Sequence, residues 1–143
     1  MSRLAGAILL LTAFTVGVHV VIEPLYHVTT ETQPFSGAWT YIDMLMALSV
    51  ALGLICSWMR KRGADASEGG VSREYLEANV QFFGFVFVGI LFFWAWFALL
   101  MNDQFTSIGP DTSTLIWTLV DAGLAILCGS LGMHLWKGSG DAA

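Results

Sequence analysis

The sequence predicts an all-α integral membrane four-helix bundle, built as two tandem helical hairpins with both termini cytoplasmic. Three observations carry this expectation. Apolar residues gather in four blocks of roughly twenty, the length that crosses a hydrocarbon core of about 30 Å. Basic residues occur only at alternate connections. The second apolar block is echoed in the fourth.

Composition narrows the class further. The chain of 143 residues is 56% hydrophobic and 12% charged, whereas a soluble domain is about a quarter charged. Its mean hydropathy is +0.69. A soluble enzyme and a disordered tail are excluded on these grounds. The formal net charge of −5 argues against nucleic acid as a partner. Cys56 and Cys128 show no CxxC or Cys/His zinc spacing and read as small buried hydrophobes.

The whole chain, 1–143, reads as one membrane domain with spans near 4–22, 38–59, 82–101 and 114–135. Arg3 and the first span resemble a secretory leader, but Val, Ile, Glu and Pro follow in place of a small-x-small cleavage site, so the span is expected to be retained. Pro24 and Pro34 bracket the connection Glu23–Gly37. The segment Arg60–Gly70 is polar and glycine-rich and reads as a flexible linker. Ser72 offers an N-cap to the third helix, with Val71 and Leu76 at the spacing of a hydrophobic staple. The Gly109-Pro110 pair marks a turn before the fourth span.

Orientation follows from the cations. Arg3, Arg60, Lys61, Arg62, Arg73 and Lys137 lie at the N-terminus, between spans two and three, or at the C-terminus; the connections Glu23–Gly37 and Asn102–Ser113 carry none. This is a positive-inside pattern. It predicts a multi-pass protein of an inner, cytoplasmic-type membrane, N-in and C-in.

An offset of 78 positions lays Trp39-Thr40-Tyr41-Ile42-Asp43 over Trp117-Thr118-Leu119-Val120-Asp121, and matches Ala47 with Ala125 and Trp58 with Trp136. The same offset pairs Gly6 with Gly84. Repeat halves 1–59 and 79–137, related by an axis along the membrane normal, would produce this pattern. Ala47 with Ala51, and Ala125 with Gly129, are small-xxx-small pairs suited to helix packing. They place spans two and four together, with Asp43 and Asp121 turned inward. The third span is covered in rings. Phe92, Phe93, Trp94, Trp96 and Phe97 are expected to face lipid, a protein partner, or a bound quinone or pigment.

Ionisable groups inside a membrane are costly and are functional candidates. Asp43 and Asp121 lie about five residues inside their spans, roughly 7–8 Å deep, and His19 lies at similar depth. Glu23 and His27 follow His19 at intervals of four, interrupted by Pro24. Three readings stay open. His19, Glu23 and Asp43 could hold zinc, copper or iron. Asp43 and Asp121 could share a proton or pass a cation. Or Thr, Tyr and Trp donors nearby could simply hold each carboxylate. No GxSxG, HExxH, P-loop or GxGxxG is present, and only His19 is deep enough for a b-type haem, which needs two such residues.

The expectation for function is a non-catalytic small subunit that stabilises a larger membrane complex, such as an oxidoreductase, a photosynthetic or respiratory assembly, or a transporter, with larger integral subunits and lipids as partners. The alternatives are a proton- or cation-coupled transporter or channel using Asp43 and Asp121, and a metal-handling protein using His19, Glu23 and Asp43. No resident cofactor is expected beyond contact with lipid, quinone or pigment.

Overall fold

In hydrocarbon every backbone N–H and C=O must be satisfied within the chain, which an uninterrupted helix achieves. The computed structural model describes residues 2–30, 35–66, 70–101 and 109–138. These contain α1 (Ser2–Tyr26), α2 (Trp39–Asp65), α3 (Arg73–Leu100) and α4 (Pro110–Gly138). Each is long and apolar enough to cross a membrane.

Neighbouring helices run antiparallel. Gly6 of α1 lies against Gly132 of α4, while Gly17 lies against Ala125. Gly53 of α2 meets Phe85 of α3, and Val50 meets Gly89. Around the bundle the order is α1, α4, α3, α2. α2 and α4 also touch across the centre, whereas α1 and α3 do not meet among the described residues. The start of α1 and the end of α4 therefore lie at one end, called proximal below, and the end of α1, the start of α2, the end of α3 and the start of α4 at the other, distal end.

Inward residues recurring every three or four positions explain this packing. On α3 the seam is Ala78, Gln81, Phe85, Val88, Phe92 and Ala95, all buried. On α1 it is Leu9, Thr12 and Val16, each fully buried, and the same spacing continues to His19 and Glu23. α2 contributes Ile42, Met46, Ser49, Gly53 and Ser57. α4 contributes Val120, Leu124, Cys128 and Leu131.

The closest approach is between α1 and α4. A Cβ on Gly132 would sit 2.9 Å from the Leu10 Cγ, and one on Gly6 would sit 3.1 Å from the Gly132 carbonyl oxygen. Such short separations need glycine on both helices. Between α1 and α2, Thr12 donates to the Ile8 carbonyl at 2.9 Å and pairs with Ser49 at 2.6 Å. With the Thr12 proton committed to Ile8, the Ser49 hydroxyl is the donor to Thr12.

Several expectations need correction. Phe92 faces neither lipid nor a partner; it is fully buried, stacked on Trp96 and edge-on to Trp117. Its place on the 3-4 seam turns it inward, a pattern hidden by the density of rings around it. Phe93 and Trp96 pack partly against the core, while Trp94 and Phe97 remain exposed. Ala51 lies on the exposed side of α2, whose close-packing small residue is instead Gly53. Ala47 borders the core. Ala125 and Gly129 pack on Gly17 and Ala13 of α1, not on α2.

Nor does the linker begin at Arg60. α2 continues to Asp65, helped by the i,i+4 pair of Lys61 with Asp65. α1 likewise runs through Pro24 to Tyr26. A single missing N–H is tolerable near a helix end, and the His27 N–H bonds to the Glu23 carbonyl beyond it. Gly70 takes a left-handed φ of 68°, and Ser72 then caps α3, its hydroxyl accepting the Tyr75 N–H at 3.1 Å. Val71 and Leu76 both stay largely exposed. Pro34, residues 67–69 of the linker and residues 102–108 lie outside the described residues.

Candidate functional site: a carboxylate-lined cavity at the distal end

Seam residues at the distal end are polar, and two layers of interaction result. In the first, Glu23 binds the segment that leads into α2. One carboxylate oxygen accepts the Ser36 backbone N–H at 2.8 Å, and the other accepts the Trp39 indole N–H at 2.7 Å. His19 sits beneath, its ring edge-on to Trp39 with centroids 4.8 Å apart. Its Nε2 lies 3.2 Å from the Ser36 hydroxyl, and the Tyr26 hydroxyl lies 3.2 Å from that nitrogen and donates to Ser36 at 3.1 Å. His19 and Glu23 are thus committed to holding α1 against the start of α2.

The second layer is a cavity of about 410 Å³. Trp39, Thr40 and Asp43 of α2 line it together with Trp117, Thr118 and Asp121 of α4. The two echoed segments of the sequence therefore form its walls. Val20 and Glu23 of α1, the segment Phe35–Gly37, Leu99 and Thr114 complete it. Asp43 is 4% exposed and Asp121 is 5% exposed.

Three of the neighbouring donors are turned away from these carboxylates. The Trp39 indole serves Glu23. The Thr118 hydroxyl turns back to the Thr114 carbonyl at 2.9 Å. Tyr41 is 81% exposed, on the far side of α2 from the core. Asp121 Oδ1 is inaccessible to solvent and has no hydrogen-bond partner among the described residues. A buried acceptor left unpaired carries its full desolvation penalty. Glu23 borders the same cavity as Asp43 and Asp121, so three acids line it.

No protein-family model, curated protein or solved structure matches this chain.

The sequence candidates separate into two groups. Asp43 and Asp121 come together on one cavity. Glu23 also lines it but is engaged with Ser36 and Trp39, while His19 lies beside it, engaged with Ser36 and Tyr26. Among the described residues, no three His, Cys, Asp or Glu side chains converge in the way a metal ion needs. Sequence reasoning did not find Ser36 or Tyr26, the partners of His19. The continuing seam of α1, from Leu9 to Glu23, is the sequence signal that His19 and Glu23 point inward.

Below the cavity, Met46, Val50, Phe85, Leu124 and Cys128 form a buried apolar layer. At the proximal end, Arg60 donates to Gln81 at 2.8 Å and to Glu77 at 3.2 Å. Gln81 in turn donates to the Ser130 hydroxyl at 3.1 Å, and Arg73 bonds Glu77 at 2.7 Å. This network clamps α2, α3 and α4 together, with the apolar layer between it and the two aspartates.

Proposed function

We propose that the chain is a small proton- or cation-coupled membrane transporter whose coupling groups are Asp43 and Asp121. The single observation that carries this reading is Asp121 Oδ1, buried on the cavity wall without a donor. A carboxylate kept only for helix register would be satisfied by its neighbours. One left unsatisfied beside a second acid is suited to take up a proton or cation from the cavity mouth. The apolar floor favours a carrier that opens alternately over a continuously open channel.

The cation distribution supports an N-in, C-in orientation in an inner, cytoplasmic-type membrane, with the cavity opening outward. We also infer an internal duplication. The Trp-Thr-x-[Ile/Val]-Asp segments lie on two parallel helices and line the same cavity, as an axis along the membrane normal would require. Proteoliposomes holding the full chain test the function. An imposed proton or sodium gradient is expected to drive flux that Asp121→Asn and Asp43→Asn abolish. Flux unchanged in both variants would refute the assignment.

A second reading, the non-catalytic subunit of a larger complex, draws on the exposed large side chains of α3, including Phe83, Phe87, Trp94 and Phe97. Native mass spectrometry after mild extraction distinguishes it: fixed-stoichiometry partners favour the subunit, and the chain alone or with its own copies favours the transporter.

A further inference from the structure

We propose that the distal cavity binds a small protonated amine, its ammonium group against Asp121 and Asp43 and its apolar body between Trp39 and Trp117. This deepens the reading above and rests on the cavity being the functional centre.

Three features of the cavity select that chemistry. The first is size. A volume of about 410 Å³ falls in the range of small-molecule sites and far exceeds the roughly 30 Å³ that one water occupies in the liquid. A bare proton or a dehydrated metal ion would leave most of it empty. The second is the wall. Trp39, Trp117 and Phe35 line the space, and aromatic faces attract cations while covering apolar surface. The convergent ligand set of a metal ion is missing among the described residues.

The third is the orphan acceptor. Asp121 is 5% exposed and its Oδ1, closed to solvent in this structure, has no donor among the described residues, so a ligand reaches that oxygen by rotation of the carboxylate toward the cavity. Glu23 offers no competing site, because both its oxygens are occupied by Ser36 and Trp39. What the cavity lacks is therefore an N–H or O–H donor carrying positive charge. A primary or secondary ammonium supplies both in one group. A quaternary ammonium supplies charge but no donor, and an alcohol supplies a donor but no charge. Each would leave part of the Asp121 penalty in place.

The test is isothermal titration of the purified full chain in nanodiscs with 2-phenylethylammonium. Three comparison ligands are its neutral analogue 2-phenylethanol, its N,N,N-trimethyl derivative, and sodium chloride. Saturable binding at one ligand per chain is expected. The alcohol and the quaternary ion should each bind at least about tenfold more weakly, the scale of one charge-assisted hydrogen bond. Asp121→Asn, which keeps the side chain's shape, should weaken the amine by at least about tenfold and leave the alcohol unchanged.

Equal binding of amine and alcohol would overturn the proposal in favour of simple partitioning into an apolar cleft. Equal binding of the quaternary ion would overturn the donor argument. Sodium binding without any amine binding would replace the amine with an inorganic cation. The ligand series on the unaltered chain decides these points even if Asp121→Asn fails to fold. The two proposals also fail separately. Amine binding without proton or sodium flux removes the transport reading alone, while carboxylate-dependent flux without amine binding removes this inference alone.

Discussion

Three acids meet at the distal cavity, yet they differ in what surrounds them. Glu23 accepts two N–H groups, whereas Asp121 leaves one oxygen without any. Opposite effects of neutralisation follow. Glu23→Gln turns an amide N–H toward a donor that needed an acceptor, so it should destabilise the fold by about 1–3 kcal/mol. A lower Tm in detergent, and Trp39 emission shifted to longer wavelength against a Trp39→Phe background, would register this. Asp121→Asn removes a buried charge that lacks a partner, and should leave the Tm unchanged or raise it. A Tm loss equal to that of Glu23→Gln would mean that Asp121 is a structural anchor. The sequence places Asp43, Asp121 and His19 at similar depth, with Glu23 four residues beyond His19, but it does not show which donors each acid captures. The Trp39 indole lies four residues before Asp43 and nonetheless bonds Glu23, sixteen residues earlier.

Between helices, glycine and ring placement set the packing. A Cβ on Gly53 would overlap the Phe85 ring, so Gly53→Ala must displace a fully buried side chain. Alanine improves helix propensity by about 1 kcal/mol, but overpacking of this kind costs about 1–3 kcal/mol. Net destabilisation is expected, and Phe85→Leu should relieve it. Simple addition of the two single effects in a double-mutant cycle would show that the contact is not the cause. On α3, Phe92→Ala should destabilise by up to about 3 kcal/mol through the cavity it opens, while Phe97→Ala should be nearly neutral. Thermal melts of the pair check the inward turn of Phe92. The inward seam was legible in principle on every helix. On α3 it was masked, because rings also occupy the lipid-facing positions, where burial in hydrocarbon is favourable without any protein neighbour.

At the scale of the whole molecule, α2 and α4 run parallel through the centre, and the outer helices close each side. The distal end carries the acids and the indoles; the proximal end carries the Arg60 network. That polarity makes orientation testable. In a chain with Cys56→Ala and Cys128→Ala, an impermeant maleimide added to intact cells should label Thr29→Cys and spare Val71→Cys. The reverse labelling would invert the cavity's exposure and with it the outward-open reading.

Span number, approximate span limits and the Ser72 cap are all readable in the sequence, because each depends on local chemistry: apolar length against bilayer thickness, and a hydroxyl placed three residues before an N–H. The echo of Trp-Thr-x-[Ile/Val]-Asp is readable too. Only the tertiary structure decides that α4 takes α1 as its closest neighbour, through Gly6 and Gly132, and that Phe92 belongs to the core. Only it separates Glu23, satisfied by α2, from Asp121, left with a bare oxygen on a cavity wall. Those outcomes depend on which side chains from distant segments reach one another first, and a donor spent on one acid is lost to the next.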